Sequence, residues 1–162
     1  MRLRGRVIKY GEDVNTDVII PSKYLAYTNP SDMAKHAMEG IDPSFLEKVR
    51  ERKIVVAGRN FGCGSSREQA PIALKYAGVE GVVAESFARI FYRNAVNIGL
   101  PVLECVSVAE YVDDGSEIEV DMAEGVVRNI TKGKVLRGSP TPEFLLRIME
   151  RGLVQYVKEG RK

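Results

Sequence analysis

The chain has 162 residues, 44% of them hydrophobic and 28% charged, with a formal net charge of +2; such values suit one globular domain with a packed core and exclude disordered and collagen-like chains. Its basic residues are scattered, without the electrostatic footprint of a nucleic-acid binder. No stretch reaches the ~20 apolar residues that span a bilayer, and the basic start at Met1-Arg2-Leu3-Arg4-Gly5 leads into no apolar signal region, so the expectation is a cytoplasmic protein without nucleic-acid or membrane partners.

In chain order, Arg6-Val7-Ile8-Lys9-Tyr10 reads as a short strand closed by a polar turn at Gly11-Glu12-Asp13. Asn15-Thr16-Asp17 precedes Val18-Ile19-Ile20-Pro21, a strand or an extended loop. Ser31 is a candidate cap for a helix through Met38 that ends at Gly40. Asp42-Pro43 starts a second short helix with Phe45, Leu46 and Val49 on its apolar side. The apolar run from Lys53 to Gly58, bounded by polar residues and Gly, predicts a buried strand. It enters a Gly-rich loop, Gly58 to Gly64, and then a helix to about Ala77. Gly81-Val82-Val83-Ala84 is the next buried strand.

Ser86 is expected to open a helix with Phe87, Ile90, Phe91, Ala95 and Ile98 at helical spacing, closed by Gly99 and Pro101; Phe87, Ile90 and Phe91 are assigned to the core. Pro101-Val102-Leu103-Glu104-Cys105 is a third strand, and the alternation of strands and helices predicts right-handed crossovers and a small parallel sheet. Beyond it the register changes. Glu117-Ile118-Glu119-Val120-Asp121 alternates polar and apolar like a half-exposed antiparallel strand. Gly125-Val126-Val127 and Val135-Leu136 extend a β-meander through turns at Glu124-Gly125 and Lys132-Gly133. Pro142 opens a last amphipathic helix carrying Leu145, Ile148, Met149, Leu153 and Tyr156. The fold class is α/β: a small parallel sheet flanked by helices, plus antiparallel strands, in one domain over 1–162.

The segment richest in chemistry is Gly58-Arg59-Asn60-Phe61-Gly62-Cys63-Gly64-Ser65-Ser66-Arg67-Glu68. Gly62 and Gly64 permit positive φ and close approach of a ligand to the backbone. Ser65 and Glu68 have capping-box spacing, although Pro71 then lies beyond the first turn, so a helix starting nearer Glu68 is the other reading. In that case the Ser65 hydroxyl is free for chemistry. Backbone N–H groups at such a loop-to-helix junction favour an anion, and Arg67 adds a fork suited to carboxylate or phosphate; an ordinary strand–loop–helix connection is the alternative. Walker A, Rossmann and nucleophile-elbow patterns are all absent. With His36 as the only His and Cys63 and Cys105 as the only Cys, the chain has too few ligands for a four-ligand His/Cys zinc site or, on Cys ligation, an iron–sulfur cluster.

Asn60 to Glu68 closely resembles the signature of the aconitase family's swivel domain. Glu85-Ser86-Phe87-Ala88-Arg89-Ile90-Phe91-Tyr92-Arg93-Asn94 is similar to that family's next block, and Asn15-Thr16-Asp17-Val18-Ile19-Ile20-Pro21 to its N-terminal one. Within the family the resemblance is to the free-standing small subunits of the isopropylmalate and homoaconitate dehydratases. It implies a swivelling β/β/α domain on a large subunit whose Cys residues hold a [4Fe–4S] cluster, with no cofactor bound by this chain. The implied reaction is dehydration and rehydration of a small hydroxy acid. Ser65 then corresponds to the base that takes the proton beside a carboxylate, Arg67 to the group that binds that carboxylate, and Gly64 and Ser66 to neighbouring contacts. Many relatives carry His where this chain has Gln69, which puts a proton-transfer role for that position in doubt.

The resemblance also implies that Tyr24-Leu25-Ala26-Tyr27 faces the variable end of the substrate. This loop has no Arg for a second carboxylate, so burial of an isopropyl group is favoured and an unpaired carboxylate penalised. Isopropylmalate is expected, with a homoaconitase or broad-specificity dehydratase subunit as the alternative inside the class, and a non-catalytic module for anionic metabolites outside it. Cys63 reads as a small residue filling a tight turn and His36 as an exposed surface residue. Asp17 is a site neighbour or a turn carboxylate. Arg89 and Arg93 form a solvated face or a partner contact.

Overall fold

Strand β1 (Arg2–Lys9) serves two different neighbours with its two halves in the computed structural model, which describes residues 1–160; Arg161 and Lys162 lie outside it. Val7, Ile8 and Lys9 pair in parallel with Ile54, Val55 and Val56 of β2 (Ile54–Ala57). Arg2 to Arg6 pair antiparallel with Asp121 to Glu117 of β5 (Glu117–Asp121). The sheet therefore has seven strands in the order β4-β3-β2-β1-β5-β6-β7, with β3 at Gly81–Ala84, β4 at Val102–Glu104, β6 at Val126–Asn129 and β7 at Lys134–Arg137. Pairing is parallel from β4 to β1 and antiparallel from β1 to β7. The expected parallel sheet and β-meander are thus joined through β1.

Burial explains why the two halves read differently. All four residues of β2 and of β3 are buried, as strands covered on both faces require. In β5 only Ile118 and Val120 are fully enclosed, and the alternation survives. Helix α4 (Gln69–Ala77) joins β2 to β3 and α5 (Arg89–Ile98) joins β3 to β4; they pack on each other, and α7 (Glu143–Arg151) packs on α5. Both α4 and α5 end on glycines in the left-handed region, Gly78 and Gly99, whose N–H groups bond back into the last turn.

Several expected boundaries move. Residues 16–19 form one helical turn, α1 (Thr16–Ile19), instead of a strand or extended loop, because Asn15 Oδ1 accepts the Val18 N–H at 2.9 Å and caps it. Helix α2 is Pro30–Ala34, capped by Asn29 with Pro30 in its first turn, and turns replace the rest of the helix expected to run to Gly40. Asp42 accepts the Ser44 N–H, which delays α3 to Phe45–Lys48. A short helix, α6 (Val108–Tyr111), was not expected. The last helix divides at Gly152, φ 80°, into α7 and α8 (Leu153–Gly160). No helix among the described residues is long and apolar enough to cross a membrane.

Candidate active-site loop

The Gly-rich loop leaves the carboxyl end of β2 and is gripped from both sides. Isolated parallel bridges pair Asn15 with Cys63 and Phe61 with Phe87. Gly62 N–H donates to Val14 O at 2.7 Å and Thr16 N–H to Cys63 O at 2.8 Å. On the other side Phe61 N–H donates to Ser86 O, and Ser86 Oγ accepts the Asn60 N–H at 2.8 Å. Ser86 is therefore a brace for the loop, and α5 starts three residues later than expected, at Arg89. Three chain segments thus converge at the carboxyl ends of β1, β2 and β3, where α/β sheets place their ligands.

Aromatic packing supplies the floor. Phe61 meets Phe91 edge-on at 5.2 Å between ring centroids, and Phe87 stacks on Phe91 at 6.1 Å. Gly62 sits on this floor at φ 84°, and a Cβ there would collide with the Phe91 ring. Gly64, at φ 93°, carries the backbone into Ser65.

Ser65 does not cap α4. The helix begins at Gln69 behind Glu68, and Pro71 falls in the first turn, where its missing N–H is harmless. The Ser65 carbonyl accepts the Oγ hydrogen of buried Thr16 at 2.8 Å, while its hydroxyl is exposed and has no hydrogen-bond partner among the described residues. The N–H groups of Gly64, Ser65, Ser66 and Arg67 likewise have no acceptor among the described residues. Consecutive free N–H groups form a concavity suited to an anion. The donors come from the loop more than from the helix terminus.

Arg67 is mostly enclosed, its side chain 15% exposed. Nη1 donates to Asp17 Oδ1 at 3.0 Å and to Ile20 O at 3.2 Å. Nε and Nη2 have no partner among the described residues, so one edge of the guanidinium is fixed and the edge suited to a bidentate carboxylate is open. The Arg67 hydrogen bond, followed by one from the Ser22 N–H, holds the Asp17 carboxyl below the ordinary carboxylate range. Asp17 is both a site neighbour and a turn carboxylate.

A cleft of about 260 Å³ has Ser65, Ser66 and Arg67 on one wall and Arg89, Ile90 and Phe91 on the other. Ile90 was assigned to the core; it is 51% exposed and faces this cleft. Helical periodicity gives Ile90 an apolar position but cannot say that the Gly-rich loop leaves a gap beside it. Arg89 also lines a larger cavity of about 430 Å³ between α5 and α7, together with Arg93.

Tyr24, Leu25, Ala26 and Tyr27 do not line the cleft. Tyr24 ends a 3-10 turn, Ser22–Tyr24, and the other three follow it; the turn's first N–H is held by Asp17, which Arg67 grips. His36 is not simply exposed: its ring stacks on Tyr24 at 3.7 Å, and its Nδ1 lies 2.8 Å from Glu39 Oε2.

The chain's own cysteines do not fit an iron–sulfur cluster. Cys63 and Cys105 are both free, and burial raises the pKa of each thiol, disfavouring the thiolate that ligation requires. Among the described residues no group of three or more His, Cys, Asp and Glu side chains is placed to hold a metal.

Fold and loop together define an α/β domain whose Gly-rich loop brings together a hydroxyl, one edge of an Arg and four backbone N–H groups that have no partner among the described residues. Residues 13–107 match the family described as aconitase C-terminal domain, and the chain belongs to that family. It is 51% identical over 161 residues to the 3-isopropylmalate dehydratase small subunit of Ruminiclostridium cellulolyticum, covering 99% of both chains. It is 52% identical to the isopropylmalate/citramalate isomerase small subunit of Methanocaldococcus jannaschii, covering 97% of this chain and 94% of that one. A crystal structure titled 3-isopropylmalate dehydratase, from the same archaeon, superposes with a TM-score of 0.92 at 44% identity, over 99% of this chain and 96% of that one.

Proposed function

We propose that this chain is the small subunit of a 3-isopropylmalate dehydratase, a hydro-lyase that interconverts 2- and 3-isopropylmalate in leucine biosynthesis. The observation that carries the reading is the unpaired Ser65 hydroxyl beside the open edge of Arg67 and four free N–H groups. Arg67 takes one substrate carboxylate in two parallel hydrogen bonds and fixes the carbon next to it against Ser65. A Ser hydroxyl is a weak base until it is ionised; the Arg67 cation and the loop donors favour the alkoxide. That oxygen removes the proton from the carbon beside the carboxylate, and the C–H electron pair becomes the new double bond as hydroxide leaves the adjacent carbon. Rehydration in the opposite sense exchanges the two positions. Gly64 and Ser66 contact the same carboxylate.

The [4Fe–4S] cluster belongs to a large-subunit partner, against which this chain acts as one swivelling domain in the cytoplasm. Alone, it holds half a site and is inactive. Co-expression with the large subunit, anaerobic cluster reconstitution and enoate absorbance test this reading. Turnover of isopropylmalate supports it, whereas a verified, cluster-loaded complex that leaves isopropylmalate untouched overturns it in favour of a metabolite-binding module. A second reading, activity on citramalate as well, is favoured by the 52% identity to an isopropylmalate/citramalate isomerase small subunit. Both substrates end in a small alkyl group, which suits a loop without Arg; turnover of homoaconitate in preference to either contradicts that argument.

A further inference from the structure

The turn after α2 contains an unusual seat. Met38 has φ 60° although it is not glycine, a left-handed conformation that is disfavoured for a side chain with a Cβ and persists only where its surroundings enforce it. Enforcement is visible: Met38 is completely buried, and its N–H donates to Ile19 O at 2.9 Å. Ile19 neighbours Ile20, whose carbonyl Arg67 holds. The strained residue therefore locks the 36–39 turn to the active-site loop's own support.

Two side chains of the same turn, His36 and Glu39, converge on Tyr24. His36 lies flat on the Tyr24 ring, with centroids 3.7 Å apart and planes within 6°. Glu39 accepts the Tyr24 hydroxyl at 2.6 Å through one oxygen and faces His36 Nδ1 at 2.8 Å through the other, so Nδ1 carries the donated proton. The Tyr24 hydroxyl, then His36, hold the Glu39 carboxyl below the usual carboxylate range and keep it an acceptor. Tyr27 completes the stack, 5.9 Å from both Tyr24 and His36. None of these groups lines the Ser65 cleft, so they act through the position of the loop.

We infer that His36 and Glu39 are positioning residues that clamp the 24–27 loop in place for the alkyl end of the substrate. This rests on the dehydratase reading and extends it: alkyl-end discrimination is set by a dyad on the neighbouring turn as well as by the loop's own side chains. Both anchors of the clamp, Arg67–Asp17–Ser22 and Tyr24–Glu39–His36, lie within this chain.

Two measurements test it. Amide hydrogen exchange on the full chain should show faster exchange across residues 24–27 in His36→Ala, with the β-strand amides unchanged. In the reconstituted two-subunit enzyme, His36→Ala should raise KM for isopropylmalate roughly tenfold, about 1.4 kcal/mol, with kcat held within about twofold. His36→Phe, which keeps the flat ring but loses the Glu39 bond, should recover part of the KM. Lys35→Ala, whose ammonium pairs with Asp32, should leave both constants unchanged. Unaltered exchange at residues 24–27 in His36→Ala would overturn the clamp, and altered exchange with an unaltered KM would overturn its part in specificity. An inactive wild-type complex would instead sink the dehydratase reading and the specificity role with it, while the exchange experiment still reads the clamp.

Discussion

Arg67 and Asp17 show how one ion pair divides a guanidinium between structure and chemistry. Nη1 is spent on Asp17 and Ile20, and the opposite edge stays open. Asp17→Asn should leave the fold intact, because Asp17 is exposed, but should loosen the Arg67 fork and raise KM by roughly three- to tenfold with a smaller change in kcat. The pH sign follows from the lowered Asp17 pKa. The pair's contribution is complete above the ordinary carboxylate value of 3.8 and is lost as pH falls through the lower folded value, so it adds no slope to a KM profile between pH 6 and 9. A wild-type KM that rises through neutral pH and is flat in Asp17→Asn would contradict this.

At this scale a compact motif points to Ser65 and Arg67, and the structure brings the two to the same cleft. The motif does not carry Ile90 or the Asp17 pair. Ile90 has the spacing of a core residue, and only the path of a distant loop exposes it. Asp17 and Arg67 are fifty positions apart, and no local pattern links them.

Among the elements, the loop at 58–64 depends on its fit to α5. Gly62 needs positive φ and the absence of a Cβ against Phe91. Gly62→Ala should therefore cost about 2–4 kcal/mol in urea unfolding, combining left-handed strain with overpacking; a loss below 1 kcal/mol would mean that the loop floor yields easily. A second test concerns the contact between β1 and the turn before α3. Tyr10, next to the end of β1, donates its hydroxyl to Asp42 Oδ2 at 2.8 Å, and Lys48 also reaches Asp42. Burial, then the Asp42 hydrogen bond, pushes the Tyr10 phenol well above its ordinary 10.0. The folded state thus favours the neutral phenol. That stabilisation is complete below pH 10.0 and declines as pH rises toward the folded value, where the unfolded chain ionises first. Wild-type urea midpoints should fall above pH 10 more steeply than those of Tyr10→Phe; parallel curves would exclude the coupling.

Strands β2 and β3 are legible because short, wholly apolar runs between Gly and polar residues have few other folded solutions. The short helices are not. At α1 a single Asn cap outweighs the β-branched Val18-Ile19-Ile20 run, and at α2 the cap is Asn29 and not Ser31. Capping chemistry acts within one turn, and several candidate caps lie close together in this sequence.

Across the whole molecule, β1 decides the architecture. Its first half closes the meander and its second half opens the parallel sheet, so the Gly-rich loop at one set of strand ends is built on a frame the meander braces. The change of register between Cys105 and Glu117 makes the two kinds of pairing legible; that one strand would join them is not written in any single segment. The cleft opens to the surface, with Ser65 exposed, Ile90 uncovered and Arg89 at its rim.

The central claim is that the Ser65 hydroxyl performs the proton transfer without a structural task of its own, the residue's hold on Thr16 being made by its carbonyl. The most direct measurement is isopropylmalate turnover by the cluster-loaded two-subunit complex carrying Ser65→Ala, alongside its thermal melt and a check of subunit assembly. The account predicts a kcat loss of about 10²–10⁴-fold, an unchanged complex and a stability within about 0.5 kcal/mol of wild type. Full turnover by an intact Ser65→Ala complex would contradict it.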